Sequence, residues 1–270
     1  MQDEEALRLV VEDLFEQLAR DGVIYAEIRF APLLHTERGM RPAEIVAAVD
    51  RATEACVRST GLEARLILCT LRHFSAEQGL ETAGLVEQFR GSRVAALDIA
   101  GDENGFAIDA QVPAFRYAIE HGLSRTAHAG EARGAASVWE TLRALQPSRI
   151  GHGVRSFEDP SLVEHLRSEG IHLEMCPSSN VQTCAVRSYA EHPIDSLRRA
   201  GVSLGINTDA RTITDISLAK EYQRLQDHFG WGNQEFLACN LDALRAAFVE
   251  DSVKHALSRK LSGAYSQIEA

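Results

Sequence analysis

Four side chains between residues 128 and 209 carry groups that bind metals or transfer protons. His128 and Glu131 lie three residues apart in the segment TAHAGE, and His152 lies between two glycines in IGHGV. Asp209 ends the segment INTD, where a buried carboxylate needs a cation or strong hydrogen-bond donors to stay ionised. Imidazole and carboxylate groups at the ends of separate strands are typical of a metal-assisted hydrolase.

Each of these motifs also has a purely structural interpretation. A histidine at a strand end can hydrogen-bond a loop, and His152 can be incidental to a tight turn made by its glycines. Cys176 is predicted to be a packed residue rather than a metal ligand, because the segment CPSS contains only one cysteine. The functional hypothesis therefore depends on the four side chains occurring together.

The elements that must position these residues alternate along the chain. An opening helix is predicted to end at Gly22, and the sequence from about Asp215 onward is predicted to be helical. Between them, seven short apolar segments predict seven strands. These segments are VIYAEIRFAP, ARLILCTLR, RVAALDIAGDE, SRTAHAGE, RIGHG, IHLEMCPSSN and VSLGINTDAR. Helices are predicted after Pro42, Ser75, Asp109 and Asp159, from Ala135, and near Pro193.

This alternation, without a Pro- or Ser-rich linker, favours a parallel sheet covered by helices in a single domain over residues 1–270. The motifs lie at the carboxyl ends of the predicted strands, where a barrel or an open parallel sheet places its chemistry. A length of 270 residues allows one barrel, which typically needs about 250.

Polar residues inside the predicted strands indicate a polar interior. Ser203, Gly205, Asn207 and Asp209 alternate along the last strand and are predicted to share one face. Glu27 and Arg29 share a face of the first strand, and we interpret them as an internal ion pair that holds neighbouring strands rather than as catalytic groups. Since barrel interiors are usually filled by branched apolar side chains, the polar faces are expected to line a site.

Charge and composition exclude several classes of function. With 39 acidic and 28 basic residues the formal net charge is −11, which disfavours binding to nucleic acid or to an anionic membrane. Five widely spaced cysteines without a C-x-x-C pair indicate neither a disulfide framework nor a thiolate zinc site. No apolar run approaches about 20 residues and the acidic opening segment is unlike a signal peptide, so a cytoplasmic protein is expected.

Five motifs, taken in order, identify a family. They are GDE at 101–103, HAGE at 128–131, GHG at 151–153, CPSSN at 176–180 and NTD at 207–209. In this order and spacing the chain resembles the adenosine deaminase family of metal-dependent barrel hydrolases, from about Val23 to beyond Tyr222. The resemblance implies a TIM-type (β/α) barrel, of which seven of the eight strands are apparent here, followed by a helical C-terminal tail.

The resemblance also implies a function and the roles of individual residues. The implied reaction is the zinc-dependent hydrolytic deamination of adenosine or 2′-deoxyadenosine, a small purine nucleoside, to inosine or deoxyinosine with release of ammonia. His128 and Asp209 match ligands of one Zn²⁺ ion per site, and Gly101 matches the backbone group that contacts the purine. Glu131 matches the acid that protonates purine N1, and His152 matches the residue that orients and deprotonates the water.

One departure from the family pattern concerns the metal. The family carries a further pair of zinc-ligating histidines, H-x-H, at the end of its first strand, and no H-x-H occurs in this sequence. With His128 and Asp209 alone, zinc would have two protein ligands rather than the three usual at catalytic sites. His35 and His73 are expected to lie in loops, and we hypothesise that the chain lacks the amino-terminal part of an active family member.

A second departure concerns the substrate. Ala210 stands where adenosine deaminases usually carry an aspartate that contacts purine N7, so a shifted substrate preference is expected. The open alternatives are deamination of another 6-aminopurine, either adenine or a modified nucleoside or nucleotide, and a non-catalytic remnant of the family. In the helical tail, Trp231 and Phe236 are expected to be core residues.

Overall fold

Seven strands follow one another in chain order across one sheet, and helices alternate with them. The computed structural model describes residues 1–268 and divides into two compact units, residues 1–126 and residues from 127 onward. The strand pairs with an assigned register are all parallel. The predicted number and order of strands are confirmed, as are the TIM-type (β/α) class and the helical C-terminus.

The first unit contains the first three strands, the start of the fourth, and the helices between them. Its elements are α1 Glu4–Arg20, β1 Tyr25–Phe30, α2 Pro42–Thr60, β2 Glu63–Leu71, α3 Ala76–Gln88, β3 Val94–Ala100, α4 Val112–Glu120 and the beginning of β4 Ser124–Ala129. Short 3₁₀ helices cover Pro32–His35 and Asp109–Gln111. The predicted loop position of His73 is confirmed, since it lies in a turn after β2, whereas His35 is the last residue of the 3₁₀ helix Pro32–His35.

Helix α1 shows how local sequence sets an element of this unit. The Asp3 side chain accepts a hydrogen bond from the Ala6 backbone N–H at 2.9 Å, which satisfies one of the unpaired donors of the first turn. The buried residues Leu7, Val11 and Phe15 recur every four positions and form one apolar face. The helix ends two residues before Gly22, whose φ of +68° is accessible at little cost without a Cβ atom.

The interior of the first unit combines an apolar sheet with one buried ion pair. Both faces of β2 are covered, since seven of its nine residues are buried. Arg29 on β1 lies 3.0 Å from the carboxylate of Asp98 on β3, which is fully buried and also accepts a hydrogen bond from the Cys69 thiol. Arg29 therefore belongs to an internal ion pair with Asp98, while Glu27 accepts a hydrogen bond from the Tyr25 hydroxyl at 2.8 Å.

The second unit contains the remaining strands and the C-terminal helices. Its elements are the end of β4, α5 Ala135–Leu145, β5 Arg149–His152, α6 Pro160–Ser168, β6 His172–Met175, α7 Pro177–Gln182, α8 Ile194–Arg199, β7 Leu204–Ile206, α9 Arg211–Thr214, α10 Leu218–Phe229, α11 Asn233–Ala246 and α12 Asp251–Ile268. Two 3₁₀ helices cover Val154–Glu158 and Tyr189–Glu191.

Aligned apolar residues hold the strands of the second unit in register. Ile150 on β5 pairs with Leu173 on β6, which pairs with Leu204 on β7, and all three are fully buried. Burying each of these side chains contributes about 1.5–3 kcal/mol. Trp231 and Phe236 join this core with their rings 5.9 Å apart, so the prediction that they are core residues is confirmed.

Two predictions about strand ends are wrong. Strand β7 covers only Leu204–Ile206, so Asn207 and Asp209 lie beyond it and do not continue its alternating face. Asp209 has a φ of +57°, in the left-handed region, which ends the strand geometry. The segment CPSSN is not strand either, because β6 ends at Met175 and Pro177 begins α7. Proline is favoured there since its missing N–H has no partner in a first turn.

Two further features concern membranes and cysteines. Among the described residues, no helix is both long enough and apolar enough to cross a membrane. None of the five cysteines, all of which lie in the described part of the chain, forms a disulfide, and four of them, including Cys176, are buried. Cys176 donates a weak hydrogen bond to the Glu174 carbonyl oxygen at 3.5 Å, consistent with the prediction that it is a packed residue.

Candidate active site

In the second unit, the predicted chemical groups lie at or just beyond the carboxyl ends of strands. His128 is the penultimate residue of β4, Glu131 follows that strand, and His152 ends β5. The Gly153 N–H donates to the Ala129 carbonyl oxygen at 3.0 Å, and the Arg155 N–H donates to Gly130 at 2.9 Å. These hydrogen bonds join the two strand ends and bring their functional side chains together.

Glycine is required beside the histidines. A Cβ atom at Gly151 would lie 3.1 Å from Cγ of His128, closer than ordinary van der Waals contact. A Cβ atom at Gly130 would lie 2.5 Å from a Val138 methyl carbon, and Gly130 has a φ of +71°. The small residues of HAGE and GHG therefore allow the imidazole of His128 to lie directly against the β5 backbone.

Two of the functional residues hold a left-handed backbone. His152 has a φ of +61° and Asp209 a φ of +57°. For residues with a Cβ atom this conformation costs on the order of 1–3 kcal/mol, and such strain concentrates at functional sites. Packing holds His152 in this conformation, because its side chain is only 3% exposed.

His152 and Glu131 form the centre of the site. Nε2 of His152 lies 3.5 Å from Oε2 of Glu131, and the ring of His128 is 5.2 Å from that of His152, centroid to centroid. The other carboxylate oxygen of Glu131, Oε1, accepts hydrogen bonds from the Thr183 hydroxyl at 2.9 Å and from the Asn180 amide at 3.4 Å. The two oxygens of Glu131 therefore have different surroundings.

Helix α7 supplies contacts to three of the predicted residues. Its Ser179 hydroxyl donates to Asp209 Oδ2 at 2.8 Å, and its Asn180 amide contacts both His152 and Glu131. The sequence interpretation missed these roles, although the motif CPSSN contains both residues. The signal that could have identified Ser179 and Asn180 is a hydroxyl and an amide side chain that follow a predicted strand and a proline.

Glu221 on α10 anchors α7 from the other side. Its Oε1 accepts a hydrogen bond from the Ser178 N–H at 3.0 Å, and its Oε2 accepts one from the Tyr189 hydroxyl at 3.0 Å. Burial raises the pKa of Glu221 above its ordinary value, opposed by these hydrogen bonds. The helical C-terminus thereby fixes the helix that carries Ser179 and Asn180.

A buried ion pair lies on the strands below the site. Nε of Arg149 on β5 is 2.7 Å from Oε1 of Glu174 on β6, with the side chains only 5% and 9% exposed. The Arg149 guanidinium also stacks over the Phe248 ring at 3.6 Å and donates to the Ala246 carbonyl oxygen. The expected polar interior is thus present around β5 and β6, where His172 also contacts the Ser203 hydroxyl at 2.8 Å.

Gly101 lies in the first unit, directly after β3. Its φ is +99°, in the region that favours glycine, and a Cβ atom there would come within 3.6 Å of the Arg72 nitrogen. The structure therefore explains why a glycine stands at this position. The other four predicted residues belong to the second unit, where contacts join His128, His152 and Glu131, and α7 links them to Asp209.

The side chains described here do not complete a zinc site. Within residues 1–268, no group of three His, Cys, Asp or Glu side chains is arranged to hold a metal ion. Catalytic zinc usually has three protein ligands, and one imidazole with one carboxylate supplies only two. His128 and Asp209 therefore form at most part of such a site, and no chemical step can be assigned to a metal from these residues.

Comparisons with known proteins agree with this geometry. The family model for adenosine deaminase matches residues 1–264. The adenosine deaminase of Clostridium acetobutylicum is 34% identical over 261 residues, which cover 97% of this chain and 78% of that protein.

Two solved structures have the same fold over nearly the whole chain. Adenine deaminase from Arthrobacter aurescens is 27% identical with a TM-score of 0.92, covering 100% of this chain and 81% of that one. The N6-methyl-AMP deaminase from Arabidopsis thaliana is 26% identical with a TM-score of 0.89, covering 98% of this chain and 80% of that one. Because the family match spans almost every residue and the aligned relatives are deaminases, this protein belongs to the adenosine deaminase family and is a hydrolytic deaminase.

Proposed function

We propose that this protein hydrolyses adenosine or 2′-deoxyadenosine to inosine or deoxyinosine. In this reaction the oxygen of water adds to purine C6, and the amino group leaves as ammonia. The observation that carries the proposal is the pairing of Glu131 with His152, 3.5 Å apart at the joined ends of β4 and β5. A carboxyl group beside an imidazole supplies a proton donor for the purine ring and a group that can hydrogen-bond the attacking water.

Glu131 is the proposed acid that protonates purine N1. Protonation at N1 draws electron density from C6 and makes that carbon easier for water to attack. Oε1 of Glu131 accepts two hydrogen bonds, and Oε2, which faces the ring of His152, is the oxygen proposed to carry the transferred proton. The Glu131 side chain is 24% exposed, so a ligand can reach it while the surrounding protein still orients it.

His152 and Gly101 complete the proposed set of functional residues. His152 is proposed to orient the attacking water, because its ring is buried and its Nε2 faces Glu131. Gly101 is proposed to contact the purine through its backbone, because a residue without a Cβ atom lets a planar ring approach the main chain. The substrate is a small purine, and the formal net charge of −11 favours a neutral one.

The proposal includes zinc dependence, and His128 and Asp209 are the two residues proposed as zinc ligands. We expect the purified, dialysed chain to retain less than one equivalent of zinc, because two protein ligands bind more weakly than three. Ammonia release from adenosine should then appear only when excess zinc is added. The His128→Ala variant should require a still higher zinc concentration for the same rate. Metal analysis and an ammonia assay on the same samples test both expectations.

The same experiment tests the substrate. If the folded chain releases no ammonia from adenosine at any zinc concentration, adenosine is not its substrate, and adenine and N6-methyl-AMP are the next 6-aminopurines to assay.

Substrate preference can be tested at Ala210, the exposed residue that precedes α9. Ala210→Asp is expected to raise kcat/KM for adenosine by about 5- to 150-fold, because the family resemblance places an aspartic acid here whose protonated carboxyl group can donate a hydrogen bond to purine N7. One such hydrogen bond contributes about 1–3 kcal/mol. The measurement compares adenosine, adenine and N6-methyl-AMP, since deaminases of the last two share this fold.

A substrate analogue provides the control for this substitution. The gain should disappear with 7-deazaadenosine, which has carbon in place of N7. An equal gain with both substrates would show that Ala210→Asp acts on the loop rather than through N7, and no gain with either would remove the proposed contact.

A further inference from the structure

A buried amide lies between the two proposed proton-handling groups. Asn180 on α7 is fully buried, and its Nδ2 lies 3.0 Å from Nδ1 of His152 and 3.4 Å from Oε1 of Glu131. On its other side, Oδ1 of Asn180 lies 3.2 Å from Nε2 of His192. The amide therefore connects a third, buried histidine to both His152 and Glu131.

His192 fixes one end of this connection. The Ile194 backbone N–H donates to Nδ1 of His192 at 3.2 Å, so Nδ1 is an acceptor. Burial lowers the pKa of His192 to about 3, which keeps the ring neutral at ordinary pH. A neutral imidazole with Nδ1 accepting carries its proton on Nε2, and that N–H donates to Oδ1 of Asn180.

The contact with Glu131 also fixes the orientation of the Asn180 amide. Its Oε1 already accepts a hydrogen bond from the Thr183 hydroxyl, and an amide oxygen turned toward it would place acceptor against acceptor. The amino group of Asn180 must therefore face Glu131, as the contact with His192 also requires. Both ends give the same orientation of the amide, so the Asn180 amino group donates to Nδ1 of His152.

We propose that Asn180, oriented by His192, is a positioning residue that holds neutral His152 with its proton on Nε2 and holds Oε1 of Glu131 as an acceptor. Nε2 of His152 then donates a hydrogen bond toward the site instead of accepting one. The catalytic meaning of this arrangement rests on the proposed function, although the hydrogen bonds themselves do not. Of the two roles that the family resemblance implies for His152, it supports orienting the water rather than deprotonating it.

Nuclear magnetic resonance of the full chain with ¹⁵N-labelled histidine tests the proposal directly. Long-range ¹H–¹⁵N correlation spectra distinguish a protonated from an unprotonated ring nitrogen, and loss of signals in His152→Gln assigns His152. In the unmodified protein, His152 and His192 are both expected to carry the proton on Nε2 only. A proton on Nδ1 of His152 in that spectrum would overturn the proposal without any variant.

Substitution of the amide supplies the second measurement. Asn180→Asp replaces the donor with an acceptor, so the proton of His152 is expected to move from Nε2 to Nδ1. Asn180→Ala buries no charge and is expected to give a mixture of the two forms. An unchanged His152 spectrum in either folded variant would contradict the positioning role.

A matched control lies on α11. Asn240 accepts a hydrogen bond from the Tyr222 hydroxyl at 2.7 Å and donates to the Tyr265 hydroxyl at 3.3 Å. Asn240→Asp should leave the His152 signals unchanged, and circular dichroism shows whether each variant is folded. Since the spectra need neither metal, substrate nor turnover, a chain that fails to deaminate adenosine still gives a definite answer about Asn180.

Discussion

Glu131→Gln is expected to lower kcat for adenosine deamination by about 10²- to 10⁴-fold, the usual contribution of one general acid or base. Glutamine has nearly the same shape and can still accept the hydrogen bond that the Thr183 hydroxyl donates to Oε1. It cannot transfer a carboxylic proton to purine N1. Initial rates of ammonia release with excess zinc measure the effect, and KM is expected to change much less than kcat.

The control for this substitution is another glutamate of the same unit. Glu140 forms a surface ion pair with Arg133 at 3.1 Å, with the two side chains 41% and 39% exposed. Glu140→Gln should change kcat less than twofold, because such exposed pairs contribute at most about 1 kcal/mol to stability. Zinc affinity should be the same in Glu131→Gln as in the unmodified chain. A normal rate in Glu131→Gln, or a loss of zinc together with the rate, would refute the acid role.

Features that local sequence patterns encode could be predicted. The continuous apolar run in β2 reflects burial on both faces, and the four-residue recurrence of Leu7, Val11 and Phe15 reflects one buried face of α1. Glycines stand beside His128 and His152, and a close approach of the backbone requires them. These glycines indicated that both histidines lie at strand ends. Each of these signals lies within a few residues of the feature that it predicts.

Features that depend on tertiary contacts could not be predicted. Helix α7 has six residues, too few to show a helical period, so CPSSN was interpreted as the end of a strand. Aspartate adopts the left-handed backbone more readily than most residues, but its presence does not require that conformation, and the end of the last strand at Ile206 could not be predicted from it. The link from His192 through Asn180 joins residues 12 and 28 positions apart, and only the folded chain brings them together.

The partner of a buried charge also depends on the fold. Sequence reasoning expected polar residues inside the sheet and interpreted Glu27 and Arg29 as an internal ion pair that holds neighbouring strands, but it did not identify the partners on other strands. In the structure, Arg29 reaches across β2 to Asp98, and Arg149 on β5 pairs with Glu174 on β6. Register between strands decides these partners, and a single sequence does not contain the register.

Glu174→Gln is expected to lower the free energy of unfolding by about 3–5 kcal/mol, because it removes the charge that compensates a buried guanidinium. The Arg149–Glu174 pair is 2.7 Å long, and its side chains are only 5% and 9% exposed. Arginine stays protonated at any pH at which the protein folds, so Arg149 cannot escape the penalty by losing its proton. Urea unfolding of the metal-free chain measures the change from the midpoint and slope.

Two comparisons show whether burial is the cause. Glu164→Gln breaks an exposed pair with Arg167, whose side chains are 61% and 49% exposed, and should cost at most about 1 kcal/mol. The double variant Arg149→Met with Glu174→Leu removes both charges and should recover most of the lost stability, because no unpaired charge then remains buried. If Glu174→Gln costs no more than Glu164→Gln, the pair is solvated in solution and does not hold β5 against β6.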